Sequence, residues 1–218
     1  AQDPAAERTS ARLLRLDRQS GAIAHAVVAG LPEFLHEGDL PVVNNTRVFP
    51  ARLIGRRVPS GGEVECLLVR RCAEGEEWEA LMHPGQKLKP GARVAFDGAR
   101  PLYAEVIERR FYGRRLVRLS TGDGSSVEEA VEAIGHVPLP PYIKRDDRPG
   151  DRDRYQTVFA ERSGSNAAPT AGLHFSPDLI DRLRRRGVDI ASITLHVGYG
   201  TFQPVRSERV EDHRLDAE

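Results

Sequence analysis

Cysteine is scarce in this 218-residue chain. Its two cysteines, Cys66 and Cys72, match no zinc-knuckle spacing and are too few for a disulfide framework. They are read as reduced thiols in or near strands. Long hydrophobic runs are missing as well. The longest, such as Ala22 to Val28, are short and interrupted, far from the roughly 20 apolar residues of a membrane span. Ala1-Gln2-Asp3-Pro4 carries no basic stretch and apolar segment of a secretory signal, so the expected location is the cytoplasm, with no membrane partner. Neither charge is in excess: 32 basic residues face 32 acidic ones, whereas a simple electrostatic nucleic-acid binder is basic. The chain also has no Gly-x-Ser-x-Gly elbow, no Walker loop, no Gly-x-Gly-x-x-Gly fingerprint and no His-Glu-x-x-His helix. Metal-free chemistry is the expectation that remains.

What is present reads as an ordinary globular protein, with 39% hydrophobic and 29% charged residues. Arg12 to Asp17 and Ala22 to Val28 read as two strands joined by a turn, followed by a short helix over Leu31 to Glu37. A strand through Leu40, Val42 and Val43 leads to the polar cluster Asn44-Asn45-Thr46-Arg47. From about Ala51 the texture changes. Short β-like runs alternate with turns such as Pro59-Ser60-Gly61-Gly62, Pro90-Gly91 and Gly122-Asp123-Gly124, which predicts a small antiparallel barrel. A helix from Ser126 to Ile134 follows, with Ser126 and Glu129 spaced as a capping box and Gly135 as its stop. Beyond it, Tyr155 to Ala160 reads as a strand and Ser176-Pro177-Asp178 as a helix start. Val188 to Val197 reads as a buried strand, completing a βαβ unit. The predicted fold class is α/β: a discontinuous three-layer α/β domain, residues 1–51 and 136–218, with a barrel domain inserted at 52–135.

Two segments are candidates for chemistry. Ala167 to Phe175 is a loop of small residues leading into a helix start, suited to close backbone approach to a ligand. Leu195 to Phe202 begins at the carboxyl end of the predicted buried strand, where ligands bind in open α/β sheets. It contains His196 and the Gly198-Tyr199-Gly200-Thr201 run. Weaker candidates are Asn44 to Arg47 and the tail with Asp212, His213 and Glu218. Arginine clusters twice, at Arg109, Arg110, Arg114, Arg115 and Arg118, and at Arg182, Arg184, Arg185 and Arg186. Either is a solvated face or a phosphate contact.

Taken in order, these segments resemble the S-adenosylmethionine:tRNA ribosyltransferase-isomerase family. Ala1-Gln2-Asp3-Pro4 with Arg12-Leu13-Leu14 resembles the family's opening. Gly38-Asp39-Leu40 with Asn44, Thr46-Arg47-Val48 and Pro50-Ala51-Arg52-Leu53 resembles its "GDLLV-NDTRV-PARL" segment. Gly135-His136 with Pro138 to Ile143, Asp153 to Val158, Ala167 to Phe175, and Leu195 to Phe202 with Gln203 to Arg206 follow the later motifs. Asn45 departs from the family's aspartate. In the tail, Leu215 and Asp216 stand in place of a methionine and a second histidine. The chain also reads as lacking both ends of the family's length.

The resemblance implies transfer of the ribosyl moiety of S-adenosylmethionine, a substrate here, onto a 7-aminomethyl-7-deazaguanine in tRNA. Adenine and methionine are released and epoxyqueuosine is formed. It implies His174 and His196 as proton-transfer groups, with Arg47, Thr46, Thr170, Gly172, Gly198, Gly200 and Thr201 as substrate-binding residues. Asp212, His213 and Glu218 are possible additions. The full-length enzyme is expected to be a monomer, and residues 1–218 alone to be inactive. The competing reading is a catalytically inactive RNA-binding or interaction fragment of the same fold. A methyltransferase using the same cofactor is disfavoured, because a glycine-rich loop after a first strand is missing.

Overall fold

A computed structural model describes residues 2–72, 76–202 and 207–212. The chain opens with strands β1 (Arg12–Leu16) and β2 (Ile23–Val27), a tight antiparallel hairpin, then β3 (Val42–Asn44) and β4 (Thr46–Val48). Six further strands follow: β5 (Arg52–Val58), β6 (Glu63–Arg71), β7 (Glu77–His83), β8 (Arg93–Phe96), β9 (Leu102–Arg109) and β10 (Arg114–Thr121). Helices α1 (Val127–Ile134) and α2 (Asp151–Arg154), strand β11 (Arg162–Ser165), helix α3 (Pro177–Arg185) and strand β12 (Ala191–Ile193) complete the named elements. Two compact units result. One takes in Ala1–Val48 and Pro141–Val197; the other takes in Phe49–Pro140 and the described residues from Gly198 on.

In the second unit β5 to β10 close into an antiparallel barrel of order β10-β7-β6-β5-β8-β9. Its strands alternate: on β6, Val64, Cys66 and Leu68 are buried while Glu63 and Glu65 are exposed, up to a register shift after Leu68. That period of two is what a barrel with a filled interior requires. Helix α1 adds Val127, Ala130, Val131 and Ile134 to the same core. Its Ser126 hydroxyl accepts the Glu129 N–H, the expected cap, a contact that stabilises a helix by about 1 kcal/mol. Cys66 lies inside the barrel, where burial pushes its thiol up to about 12, so it stays an inert neutral group.

In the first unit the successive short strands β3 and β4 each pair with a different later strand. β12 runs parallel to β3, and β11 runs parallel to β4. Asn45, between β3 and β4, joins the two ladders: its N–H donates to Ile193 O, and its carbonyl accepts from Glu161 and Arg162. Helix α3 is amphipathic and buries Leu179 and Leu183 against Val28 and Val188. Ser176 caps it by accepting the Leu179 N–H.

Three expectations change here. Tyr155 to Ala160 is a turn rather than a strand, and the strand comes later, as β11. The reason is local: the Gln156 amide accepts the Val48 N–H at 3.0 Å and donates to Val48 O at 2.7 Å. A side chain thus takes the ladder bonds that a neighbouring strand would take. Val188 to Val197 is not one long buried strand either. Only Ala191–Ile193 is strand, and Ile193 and Leu195 are 47% and 43% exposed. Beyond Ile193 the Asn44 amide takes over, donating to Leu195 O at 2.8 Å and accepting the Leu195 N–H at 3.1 Å. Leu31 to Glu37 is replaced by a 3-10 helix over Val28–Phe34 that accommodates Pro32.

Candidate functional site

The polar cluster Asn44-Asn45-Thr46-Arg47 lies where both parallel ladders meet, and it organises the site. Asn44 holds Leu195 as described. Thr46 is buried, and its hydroxyl lies 2.8 Å from His196 Nδ1 and 3.5 Å from the Arg162 carbonyl. His196 itself is exposed to solvent. Its ring lies against Gly164, whose φ of +150° suits glycine. A Cβ at that position would fall 2.8–2.9 Å from three atoms of the imidazole, too close to fit. Thr46 and Gly164 therefore fix the ring from two sides.

The two small-residue segments also meet. Ser165 is fully buried; its hydroxyl accepts the Val197 N–H at 2.7 Å and donates to Val197 O at 3.3 Å. The same carbonyl accepts the N–H groups of Asn166 and Ala167 at 3.0 and 3.4 Å. The start of the Ala167–Phe175 segment is thereby tied to the end of Leu195–Val197. From there, Thr170 to His174 form a 3-10 helix, with Thr170 and His174 exposed. Gly172 packs so tightly on Thr157 that an added Cβ would approach its Cγ2 at 2.9 Å. Arg8 fastens this loop from the N-terminal side, donating to Leu173 O at 3.0 Å and to Asp153 O at 3.1 Å.

Not every predicted residue converges on this junction. Arg47 is exposed and alternates with the buried Thr46 and Val48 along β4. Gly198, Gly200 and Thr201 belong to the other compact unit, where the Thr201 N–H donates to Gly198 O at 3.3 Å. Asp212 ends a short 3-10 helix and is exposed. His213 and Glu218 lie outside the described residues. Sequence reasoning missed Gly164, Ser165, Arg8 and Gln156. The signal for the first two was the Ser163-Gly164-Ser165 run, a glycine between hydroxyls, which passes for an ordinary turn in a linear reading.

Asn45 is turned inward. Its Nδ2 donates to Glu161 Oε2 at 3.0 Å and its Oδ1 accepts the Thr194 hydroxyl at 2.7 Å. Replacing it by aspartate would set a second carboxylate against Glu161. Asn45→Asp is expected to lose about 1–3 kcal/mol near neutral pH, the scale of an unsatisfied buried polar group. Two facing carboxylates raise the pKa of one, so folding then favours the protonated pair. The loss should shrink as pH falls through that raised pKa. Thermal melts of both forms across the carboxylate range check this; a deficit that grows towards acid pH would contradict it.

Charge elsewhere is mostly structural. Asp151 is buried and takes a two-pronged ion pair from Arg145 at 2.6 and 3.0 Å; that bond holds its carboxyl below the usual range. Tyr155 is pushed up to about 12 by burial and stays a neutral phenol. Among the described residues, no three His, Cys, Asp or Glu groups converge in a way that could hold a metal ion, and no helix is long and apolar enough to cross a membrane.

Fold and site together define a mixed α/β and closed-barrel protein that presents an anchored histidine where parallel strands end. The model of the family described as queuosine biosynthesis protein matches residues 1–218, and the chain belongs to that family. It is 48% identical over its whole length to the S-adenosylmethionine:tRNA ribosyltransferase-isomerases of Solibacter usitatus and of Caldanaerobacter subterraneus subsp. tengcongensis. The match covers 66% of the first relative and 62% of the second, so the chain spans just under two thirds of their length. Among solved structures, S-adenosylmethionine tRNA ribosyltransferase from Thermotoga maritima is similar at 29% identity, covering 90% of this chain and 54% of that one with a TM-score of 0.35.

Proposed function

We propose that this chain carries the proton-transfer part of an S-adenosylmethionine:tRNA ribosyltransferase-isomerase. The whole protein would move the ribosyl moiety of S-adenosylmethionine onto a 7-aminomethyl-7-deazaguanine in tRNA, forming epoxyqueuosine and releasing adenine and methionine. The observation that carries this reading is the Thr46–His196 contact at 2.8 Å, made where Asn44 and Ser165 clamp Leu195 and Val197. It gives three motif segments, far apart in sequence, one shared anchor for an exposed imidazole. Such a group suits taking a proton beside a sulfonium or giving one to departing adenine near neutral pH. His174 is the second proton-transfer group. Arg47, Thr46, Thr170, Gly172, Gly198, Gly200 and Thr201 hold the substrates, with Asp212, His213 and Glu218 as additions. S-adenosylmethionine is a substrate and no metal takes part.

The reading extends to a cytoplasmic protein, monomeric at full length. Its three-layer α/β domain draws on 1–51 and 136–218 around the inserted 52–135, and the 218 residues alone are inactive. The alternative is a non-catalytic RNA-binding or interaction fragment of the same fold, motivated by Asn45. The bonds of Asn45 to Glu161 and Thr194 weigh against it, because they make that side chain part of the scaffold rather than a lost reactive group.

The test is adenine release from S-adenosylmethionine by a version extended to the relatives' length. Release is expected only with tRNA bearing the deazaguanine precursor. Tight tRNA binding without release would support the alternative, and release independent of tRNA would refute the transferase reading.

A further inference from the structure

The geometry points to the tip of the β9–β10 hairpin as an RNA-docking surface in which Phe111 stacks on an unpaired base and guanidiniums around it hold the flanking phosphates. This inference rests on the tRNA reading above. The tip is a three-residue 3-10 loop, Phe111–Gly113, closed by the Arg110 N–H donating to Arg114 O. Gly113, at φ +80°, makes the reversal. Phe111 is 87% exposed. Exposing a phenyl ring to water is unfavourable, and this one sits among cations rather than in an apolar patch that another protein could cover.

The cations are held in place beforehand. Glu79 on β7 is buried and is met by Arg110 at 2.5 Å, Arg70 at 3.2 Å and Arg114 at 3.6 Å. Glu108, 3.4 Å from Arg110, is the second carboxylate in the group. Arg115 and Arg109 bind backbone oxygens instead: Arg115 reaches Gly85 O at 2.9 Å and Leu88 O at 3.2 Å, and Arg109 reaches Gln86 O at 3.0 Å. The loop they grip carries the exposed Lys87 and Lys89. Carbonyls satisfy a guanidinium's donors without cancelling its charge. A chain with no formal net charge thus concentrates positive charge at one end of its barrel.

A flat apolar ring beside oriented cations fits a nucleotide, which offers an aromatic face and an adjacent phosphate. Duplex RNA hides its base faces, so the surface selects a loop or single strand. The separation of roles is direct. Phe111 supplies stacking, which is lost on removing the ring, and Arg70, which is mostly exposed, supplies charge.

The experiment measures binding of the 218-residue chain to two unmodified RNA probes, a stem-loop with an unpaired loop and a perfect duplex of the same length, across a salt series. Phe111→Ala should weaken stem-loop binding about 10-fold and leave duplex binding unchanged, given the usual worth of one base–aromatic stack. Phe111→Trp should keep the wild-type affinity. Arg70→Ala should weaken both probes and lower the salt slope by about one phosphate contact. Both sites are solvent-exposed, and matching melting curves would show that the variants fold. Stem-loop binding unchanged by both substitutions would overturn this proposal alone. A wild-type chain that binds neither probe would also overturn it, while the tRNA reading beneath it is decided separately by the adenine-release test on the extended protein.

Discussion

Replacing His196 by alanine, in a protein extended to the relatives' length, is expected to lower tRNA-dependent adenine release by about 10²–10⁴-fold, the usual worth of a positioned proton-transfer group. Its environment makes the expectation more specific. The Thr46 hydroxyl has a single proton and two neighbours, His196 Nδ1 at 2.8 Å and the Arg162 carbonyl at 3.5 Å. The carbonyl only accepts. Both contacts become hydrogen bonds when the imidazole donates Nδ1–H to the hydroxyl and the hydroxyl donates to the carbonyl; the opposite polarity makes only one. The neutral ring is therefore expected to carry its proton on Nδ1 and to turn a bare Nε2 to solvent. Nitrogen NMR of the 218-residue chain, at a pH where imidazoles are neutral, reads this tautomer directly. Thr46→Ser should preserve it and Thr46→Val should lose it. A ring protonated on Nε2 in the unmodified chain would reverse the assignment, and near-normal turnover by both His196→Ala and His174→Ala would end the histidine mechanism.

Gly164→Ala is the second large effect expected, and it reaches the same ring without altering any ionisable group. The backbone at +150° strains any other residue, at a cost of about 1–3 kcal/mol, and the new methyl would overlap the imidazole. The ring must then leave its place beside Thr46. Stability should fall by that amount, with a disproportionate fall in kcat, because the proton-transfer group is displaced while the substrate-holding residues stay. The His196→Ala, Gly164→Ala double variant separates the causes: removing the ring removes the overlap, so stability should partly recover. A Gly164→Ala protein with unchanged kcat and unchanged melting temperature would show that the ring is not held there.

The barrel was legible in the sequence because its determinants are local. Alternation along Val64, Cys66 and Leu68, turns every few residues, and Ser126 three residues before Glu129 all report neighbours along the chain. The first unit was harder to read. Gln156 and Asn44 replace ladder bonds with side-chain amides, so a β-like stretch becomes a turn in one place and a strand stops early in the other. No period reveals that, since an amide pairs with whichever backbone the fold brings to it. The first arginine cluster shows the same limit. Five basic residues close in sequence read as one patch, yet Arg118 answers Glu77 while Arg109 and Arg115 grip carbonyls.

By itself, then, the sequence determined the two capped helices, the barrel's alternating interior and the ordered motifs that mark the family. These depend on residue type and short spacing. Only the tertiary structure decided that Thr46 meets His196 across 150 residues, that Gly164 is the floor beneath its ring and that Asn45 faces Glu161 rather than solvent. Those contacts follow from the parallel pairing of β3–β4 with β12 and β11, and parallel strands need long crossovers that erase any sequence spacing between the residues they join.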